Sequence, residues 1–358
     1  MKNKIKLNTN SESFVKWIFR AEDELSSVVF IFISIINANN ARFFPLFQNS
    51  NKIRFVYFKG LPLKYSDRIC IKIFAALQMV FKKKIERYQT IHFFNTKINF
   101  KNRIQILHID DPEYTKSFEN NLKMWEEKNA VGNRVSRIIC TNSFTQNWLS
   151  TIVKFSEIHV IEQGLNIVPT SKMKERKSFI CAYSSPYICY GKDKNSNHSA
   201  YGADILIDEI IPGLLKRDKK IMFYIIGRVG KHAREKLEAF PNVKLFGLVG
   251  TDENEKILSY CDVGLYSRKF DHKRSVLKIF SYLGSGLPVV TFDLIDTEII
   301  KLEKFGFSVS TTSQFIDRVI ELKESPQTYR DFQSIIFLNR KKYTWKSLAQ
   351  KMDNLIYL

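Results

Sequence analysis

Basic side chains crowd the start of a short predicted helix within residues 262–292. The apolar spacing predicts a strand at Val263–Tyr266, a helix at Ser275–Leu283 with Ser275 as its N-cap, and a strand at Val289–Phe292. The basic residues before the helix and in its first turn are Arg268, Lys269, His272, Lys273, Arg274 and Lys278. Cations at a helix N-terminus oppose the helix dipole, whereas a bound phosphate reverses that penalty because free backbone N–H groups favour it. The stretch therefore predicts a diphosphate site; the alternative is a solvated basic loop.

The composition predicts a folded, strongly basic protein. The 358 residues suffice for two domains, and the hydrophobic share of 44% argues against general disorder. The net charge of +20 indicates an anionic partner, which is nucleic acid, a phosphorylated ligand or an anionic membrane. Five scattered cysteines without a CxxC pair argue against a disulfide framework or a metal site and predict reduced thiols in the cytosol.

Membrane insertion is not expected from the sequence. The polar, charged residues 1–10 do not resemble a signal peptide, and the longest apolar run, 27–37, is too short to span a bilayer and is predicted to be a buried strand. Peripheral contact with a membrane surface is compatible with the sequence, because residues 71–84 have the spacing of an apolar helical face that ends in Lys82, Lys83 and Lys84. Such a helix can lie on anionic lipid, although a core helix with solvated lysines fits the same pattern.

Strands alternate with helices along the chain, which is typical of parallel sheets covered by helices. The predicted strands are Val28–Ile36, Ile53–Phe58, Thr90–Phe94, Ile104–Ile109, Arg137–Thr141, Ile158–Ile161, Phe179–Tyr183, Ile221–Ile226, Val243–Phe246, Val263–Tyr266 and Val289–Phe292. A polar stretch, 163–177, carries Gly164 and Pro169 and is predicted to be a linker. We therefore expect an α/β protein with two Rossmann-like domains that face each other across a cleft. The expected division is 1–165, 166–335 and a closing helical segment, 336–358, that packs back toward the first domain.

Segments spread from Thr90 to the C-terminus resemble the GT-B glycosyltransferases, and the family 4 group in particular. The segments that carry the resemblance are RIICTNSFTQNWLS with IHVIEQGLN, MFYIIGRVG with PNVKLFGLV, YCDVGLYSR with LKIFSYLGSGLPVV, and YTWKSLAQKM. Each is a weak match alone, but their order and spacing agree with the family. The first ninety residues match poorly.

The resemblance implies a nucleotide-sugar site in the second domain. Gly227 and Arg228 would lie near the donor phosphates, the backbone at Leu248 and Val249 would meet the base, and Lys278 would hold the diphosphate, as in enzymes of the xanthan glucuronosyltransferase type. We place Arg274 and Ser275 beside Lys278 in the donor site. A surface arginine in a turn is the alternative for Arg228. Members usually act without a metal or other cofactor, and the absence of a clear DxD motif agrees with this.

The sequence also departs from the family. Retaining family 4 members carry two glutamates where this chain has Lys273 and Ser281, and a lysine where it has Tyr201. Two interpretations follow: an inverting enzyme of the xanthan type, or a diverged member whose phosphate charges come from other basic residues, which are Arg228, Arg268, Lys273, Arg274 and Lys278.

An inverting reaction needs a general base for the acceptor hydroxyl. The candidates are Asp110 and Asp111, which follow a predicted strand, and His108, two residues before Asp110. Adjacent residues on an extended chain point opposite ways, so only one of the two aspartates can face the cleft. Helix capping is the alternative role for either aspartate, and a structural role is the alternative for His108. Glu298, after the strand at Val289–Phe292, is a further candidate close to the sugar.

We therefore expect a cytoplasmic glycosyltransferase, peripheral on the inner face of a membrane, that assembles a surface polysaccharide or glycolipid. Its partners would be a nucleotide sugar, a glycan or lipid-linked acceptor and anionic lipid, with no nucleic acid. Two alternatives remain open. The charge also fits a basic nucleic-acid-binding protein, although no RNA- or DNA-binding motif is evident. The missing glutamates also fit a catalytically silent partner subunit.

Overall fold

The computed structural model describes residues 27–31, 46, 49–50, 54–57, 90–93, 104–109, 114–169, 178–193, 202–270 and 276–357. The chain divides into two compact units, which are Met1–Glu162 together with Trp345–Leu358, and Gln163–Thr344. Each unit contains a six-stranded sheet whose neighbouring strands are parallel. The predicted α/β class with two parallel-sheet units is confirmed. The division into domains at 165/166 and 335/336 stays a prediction.

The first unit has the strand order β2-β1-β3-β4-β5-β6. Its strands are β1 (Ser27–Ile31), β2 (Arg54–Tyr57), β3 (Thr90–Phe93), β4 (Ile104–Ile109), β5 (Val135–Cys140) and β6 (Glu157–Val160). Helix α1 (Lys116–Val131) lies between β4 and β5 in the chain, and helix α2 (Ser143–Ser150) lies between β5 and β6. Both helices begin where a side-chain oxygen accepts a backbone N–H. Thr115 accepts from Phe118 at 3.3 Å, and Asn142 accepts from Thr145 at 2.7 Å.

The second unit has the strand order β12-β11-β10-β7-β8-β9. Its strands are β7 (Ile180–Ile188), β8 (Met222–Val229), β9 (Val243–Gly247), β10 (Val263–Tyr266), β11 (Val289–Phe292) and β12 (Gly306–Val309). Its helices are α3 (Ala203–Ile205), a π-helical turn (Leu206–Ile210), α4 (Ile211–Arg217), α5 (Lys231–Glu238), α6 (Thr251–Leu258), α7 (Leu277–Gly284), α8 (Glu298–Leu302), α9 (Thr312–Glu324) and α10 (Pro326–Asn339), with 3₁₀ turns at Gly191–Asp193, Ile295–Thr297 and Arg340–Tyr343.

The strand order of the second unit fixes where a ligand is expected. The chain adds β8 and β9 on one side of β7 and then returns to add β10, β11 and β12 on the other side. In open parallel sheets, ligands bind beyond the carboxyl ends of the strands at the point where the strand order reverses. That point lies between β7 and β10, which pair directly through Val263 with Cys181 and Gly264 with Ala182.

The second sheet differs from the sequence prediction at several strand ends and in one additional strand. β8 continues past its predicted end at Ile226 to Val229. β7 continues past its predicted end at Tyr183 to Ile188, and its register against β8 shifts between Ser184 and Tyr187. β12 was not predicted, because its sequence, GFSV, contains a glycine and a serine and forms no continuous apolar run. Gly306 begins β12 with a φ of 150°, and a Cβ there would lie 1.9 Å from the carbonyl oxygen of Val289. Only glycine permits this approach of β12 to β11.

The closing helix α11 (Trp345–Tyr357) belongs to the first unit. Its residues Leu348 and Met352 are buried with Ile106 of β4 and Ile139 of β5. On the other face of this sheet, Leu107 packs in a cluster with Leu122 and Trp125 of α1, as alternation along a strand requires. α11 therefore completes one of the two hydrophobic layers of the first sheet.

Two predictions concern the membrane. Among the described residues, no helix has both the length and the apolar character needed to cross a bilayer. The predicted amphipathic helix at 71–84 lies outside the described residues.

Candidate functional site

The helix after β10 begins two residues later than predicted. α7 starts at Leu277, and its N-cap position is occupied by Val276 rather than by the predicted Ser275. The prediction of Ser275 as the N-cap is therefore wrong. The valine side chain accepts no hydrogen bond, and no side-chain cap bond is present at this helix start among the described residues. The Ile279 N–H donates to the Val276 carbonyl at 3.1 Å. The N–H groups before Ile279 are those that an α-helix does not pair internally, and they are the candidate donors to a ligand.

Lys278, in the first turn of α7, has a buried ammonium group. Its Nζ lies 5.3 Å from the ring centroid of Tyr183 in β7 and 5.3 Å from that of Tyr266 at the end of β10. Burial lowers the pKa of Lys278 from 10.5 to about 7, and the neighbouring Arg268 guanidinium contributes to the shift. The lysine therefore lies at the reversal point of the sheet, in a setting where an anion would favour its charged form. We call Lys278, Tyr183, Tyr266 and Arg268 the Lys278 site.

Tyr282, one turn further along α7, forms hydrogen bonds to both strands that border this site. Its hydroxyl accepts from the backbone N–H of Ser184 in β7 at 2.8 Å and donates to the carbonyl of Leu265 in β10 at 3.2 Å. The ring fits over Gly264, where a Cβ would lie 2.5 Å from it. One helix residue thus holds α7 against both strands that meet at the reversal point.

Arg268 enters the site from the loop after β10. Its side chain is buried and forms an ion pair with Asp296 at 3.5 Å, while Nη1 donates to the Tyr266 hydroxyl at 3.1 Å. The sequence placed Arg268 among the basic loop residues but gave no indication of its burial. Asp296, in the 3₁₀ turn after β11, carried no sequence signal. Arg274 and Ser275, predicted beside Lys278, lie outside the described residues.

The predicted phosphate-side residues lie at the end of β8. Gly227 has a φ of 141°, and a Cβ there would lie 1.7 Å from the carbonyl oxygen of Ser185. This close approach occurs at the register shift between β7 and β8, and it requires glycine. Arg228 follows with an exposed side chain, opposite Tyr187 in the ladder.

The remaining predicted donor-side residues lie after neighbouring strands. Leu248 is 61% exposed just beyond β9, and Val249 packs partly against the hydrophobic cluster that includes Ile226 and Leu258. Glu298 is exposed at the first residue of α8, after β11. These positions all follow the carboxyl ends of strands of the second sheet, as the predicted donor site requires. Their contact with a ligand stays a prediction.

The predicted catalytic residues belong to the first unit. His108 is buried in β4, opposite Ile139 of β5 in the ladder. Asp110 and Asp111 lie outside the described residues. Within the described ranges, no group of three or more histidine, cysteine, aspartate or glutamate side chains is placed to hold a metal ion. The catalytic roles and the independence from metals stay predictions.

Comparison with known proteins agrees with the fold. Residues 191–325 match the family model described as Glycosyl transferases group 1. No curated protein matches the chain by sequence. Similar solved structures include sucrose-phosphate synthase from Thermosynechococcus elongatus, at 12% identity and a TM-score of 0.64, with coverage of 93% of this chain and 98% of that one.

Two further structures carry bound ligands. HepE from Anabaena, solved in complex with UDP, is 13% identical with a TM-score of 0.65 and coverage of 92% and 99%. A TarM mutant from S. aureus, solved with Fondaparinux, alpha-GlcNAc-glycerol and UDP, is 17% identical with a TM-score of 0.59. That match covers 78% of this chain but only 58% of TarM. At these identities, the structural likeness establishes the fold. Residues 191–325 are therefore similar to the group 1 glycosyl transferases, and the chain has the two Rossmann-like units of the GT-B glycosyltransferase fold.

Proposed function

We propose that this chain transfers a sugar, expected to be a hexose, from a nucleotide-sugar donor to a glycan or glycolipid acceptor. The observation that carries the proposal is the Lys278 site, because a buried ammonium group lies there at the reversal point of a parallel sheet, in the first turn of a helix whose start has no side-chain cap among the described residues. The family match over residues 191–325 and the UDP bound to similar structures support the same activity.

The site suits the chemistry of the leaving group. When a glycosyl group leaves a nucleotide sugar, negative charge grows on the nucleoside diphosphate. A buried cation stabilises that charge more strongly than an exposed one, since less water screens it. Lys278 and the first N–H groups of α7 would provide this stabilisation with no metal, and metal independence is part of the proposal.

The other donor contacts follow from the strand ends. Gly227 and Arg228 would lie near the phosphates, Leu248 and Val249 would meet the base through their backbone, and Glu298 would lie near the sugar. Arg274 and Ser275 would add contacts beside Lys278. Gly227 and Arg228 lie near the carboxyl end of β8, and the other positions come after β9, β10 or β11 in the chain, which supports one shared site.

The acceptor side belongs to the proposal as well. Asp110, Asp111 or His108 would take the proton of the acceptor hydroxyl. A lipid-linked acceptor would place the protein in the cytoplasm, peripheral on the inner face of a membrane, where it would assemble a surface polysaccharide or glycolipid. The basic residues of the first unit and the predicted helix at 71–84 support contact with anionic lipid.

One observation favours a second candidate, a donor-binding partner subunit without turnover. Retaining relatives have a glutamate where this chain has Ser281, and the Ser281 hydroxyl donates to the Leu277 carbonyl of its own helix at 3.4 Å. This residue is therefore turned toward its own backbone and supplies no carboxylate to a ligand.

A panel of nucleotide sugars, measured by thermal shift, tests the proposed function. A donor at one hundred times its dissociation constant should stabilise the protein by about 2.7 kcal/mol. Lys278→Ala should abolish the shift, whereas Lys256→Ala, which changes an exposed lysine on α6, should retain it. Transfer or hydrolysis of the donor identifies an enzyme, and binding without turnover identifies the partner subunit. Salt-dependent binding of RNA without affinity for any nucleotide sugar would contradict both candidates.

A further inference from the structure

The backbone at Arg268 is held firmly by the helix that follows β7. The Ser267 hydroxyl donates to the carbonyl of Gly202 at 2.7 Å. Gly202 has a φ of 74°, and a Cβ there would lie 2.6 Å from the backbone nitrogen of Arg268. Nothing larger than glycine fits between the two segments without displacing one of them. The loop that carries Arg268 therefore has a fixed position at the reversal point of the sheet.

Among the residues that the structure describes, the partners of the Arg268 guanidinium all lie at one nitrogen, Nη1. Nη1 donates to the Tyr266 hydroxyl at 3.1 Å and lies 3.5 Å from Oδ2 of Asp296, whose side chain is fully buried. Nε and Nη2 are buried and have no hydrogen-bond partner among the residues that the structure describes. The Arg268 side chain is only 6% exposed, so solvent does not readily satisfy these two donors.

Nε and Nη2 form one edge of the guanidinium plane. Their N–H bonds point in nearly the same direction, and their spacing matches the two oxygens of a carboxylate or phosphoryl group. Arginine binds such groups through two parallel, charge-assisted hydrogen bonds. The anchoring of Nη1 leaves this edge available, which is the arrangement that a two-oxygen ligand requires.

Lys278 and Arg268, the two cations of the Lys278 site, both contact Tyr266. The ring of Tyr266 faces the Lys278 ammonium, and its hydroxyl accepts from Arg268. Two positive groups held side by side in a buried site repel each other unless an anion joins them. Asp296 contributes one negative charge on the Arg268 side. An oxyanion bound to Arg268 would offset this repulsion.

We infer that the Nε–Nη2 edge of Arg268 is a second oxyanion-binding position of the donor site, distinct from Lys278, which takes two oxygens of one phosphoryl or carboxylate group of the donor. The inference rests on the proposed function, since the donor supplies the group. The oxyanion is either a phosphoryl of the diphosphate or a carboxylate on an acidic sugar. Both present the same pair of oxygens.

Titration calorimetry of the full-length protein tests the inference. The probes are UDP, UDP-glucose, UDP-glucuronate, pyrophosphate and uridine. Arg268→Lys keeps the charge but removes the two-donor edge. Arg217→Lys is the matched control, because Arg217 also pairs with an aspartate, Asp317, but on the exposed surface of the same unit.

We expect Arg268→Lys to weaken UDP binding roughly tenfold to a hundredfold, which corresponds to the loss of a charge-assisted hydrogen bond. Uridine binding should stay unchanged, and Arg217→Lys should bind every probe as the wild-type protein does. If UDP and UDP-glucose keep their affinity and only UDP-glucuronate loses it, the oxyanion is a sugar carboxylate. The inference is overturned if no anionic probe loses affinity, or if uridine loses as much as UDP, since the role of Arg268 would then be structural.

A second variant keeps the test decisive if Arg268→Lys does not fold. Asp296→Asn preserves shape and the guanidinium but removes the competing negative charge. It should strengthen UDP or pyrophosphate binding about twofold to tenfold and leave uridine unchanged; unchanged or weaker binding of the anions counts against the inference. A wild-type protein that binds pyrophosphate but no nucleotide refutes the proposed function, while loss of pyrophosphate binding in the variant still supports the oxyanion position.

Discussion

Replacement of Lys278 by methionine should remove a large pH dependence from the stability of the second unit. The pKa of Lys278 lies at about 7 in the folded protein and at 10.5 when solvated, so the unfolded chain binds more protons between these values. Stability then rises with pH through this window, because the cost of burying the lysine is present in full below pH 7 and decreases progressively until the unfolded lysine also becomes neutral near pH 10.5. Methionine has an unbranched side chain that is one atom shorter than that of lysine and carries no charge.

The magnitude follows from the two pKa values. The slope approaches about 1.4 kcal/mol per pH unit where the folded lysine is neutral and the unfolded one is charged. Between pH 7 and pH 9, the folded lysine loses the remaining half of its proton occupancy, so the wild-type protein should gain about 2 kcal/mol more than Lys278→Met. At pH 7 or below, the variant should be the more stable protein in the absence of ligand.

Urea unfolding measured by far-ultraviolet circular dichroism is the suitable assay. Tryptophan fluorescence would not report on the second unit, because every tryptophan lies outside Gln163–Thr344: Trp17, Trp125, Trp148 and Trp345. Lys256→Met, at an exposed position of α6, is the matched control and should follow the wild-type pH profile. Parallel profiles of the wild-type protein and Lys278→Met would refute the reasoning, as would a pKa of Lys278 near 10.5 measured by NMR of labelled lysine.

The remaining predictions concern ligand affinity and packing. UDP affinity should fall by up to about tenfold per pH unit above pH 7, with uptake of about one proton on binding, because the anion needs protonated Lys278. Calorimetry in buffers of different ionisation enthalpy measures the affinity and the proton uptake, and a UDP affinity that does not change with pH would contradict the prediction. Gly227→Ala should destabilise the second unit by at least about 3 kcal/mol, since its Cβ would overlap a carbonyl oxygen, whereas Gly250→Ala, which has open space and a negative φ, should be nearly neutral in the same urea assay. Tyr282→Phe should lower the free energy of unfolding by about 1–3 kcal/mol through the loss of two buried hydrogen bonds, and it should weaken UDP binding. If the variant keeps both the stability and the UDP affinity of the wild-type protein, Tyr282 does not hold α7 against β7 and β10.

Much of the second unit could be predicted from the sequence. The strands at Val263–Tyr266 and Val289–Phe292 have the predicted bounds, because short apolar runs between turn residues are a local signal. The presence of a helix between them was also predicted, from apolar residues at helical spacing. The exact start of this helix was not, since Ser275 and Val276 can each precede it and the choice depends on packing against β10.

A smaller part of the Lys278 site could be predicted from the sequence. The concentration of basic residues, and hence the expectation of an anionic ligand, could be read from the sequence, because charge is a property of composition. The burial of individual basic groups could not be read in this way. The Arg268 side chain and the Lys278 ammonium group are buried, whereas Arg228 is exposed, and no local pattern separates them.

The class of the fold, the alternation of strands and helices, and the excess of positive charge near one helix start follow from the order of residues along the chain. The meeting of Tyr183, Tyr266 and Lys278 follows from the three-dimensional fold, since they lie on different elements that the reversed strand order brings together. The same holds for the pairing of Arg268 with Asp296. Secondary structure follows from neighbours along the chain, whereas burial, ion pairing and the pKa of a lysine depend on residues that are distant in sequence.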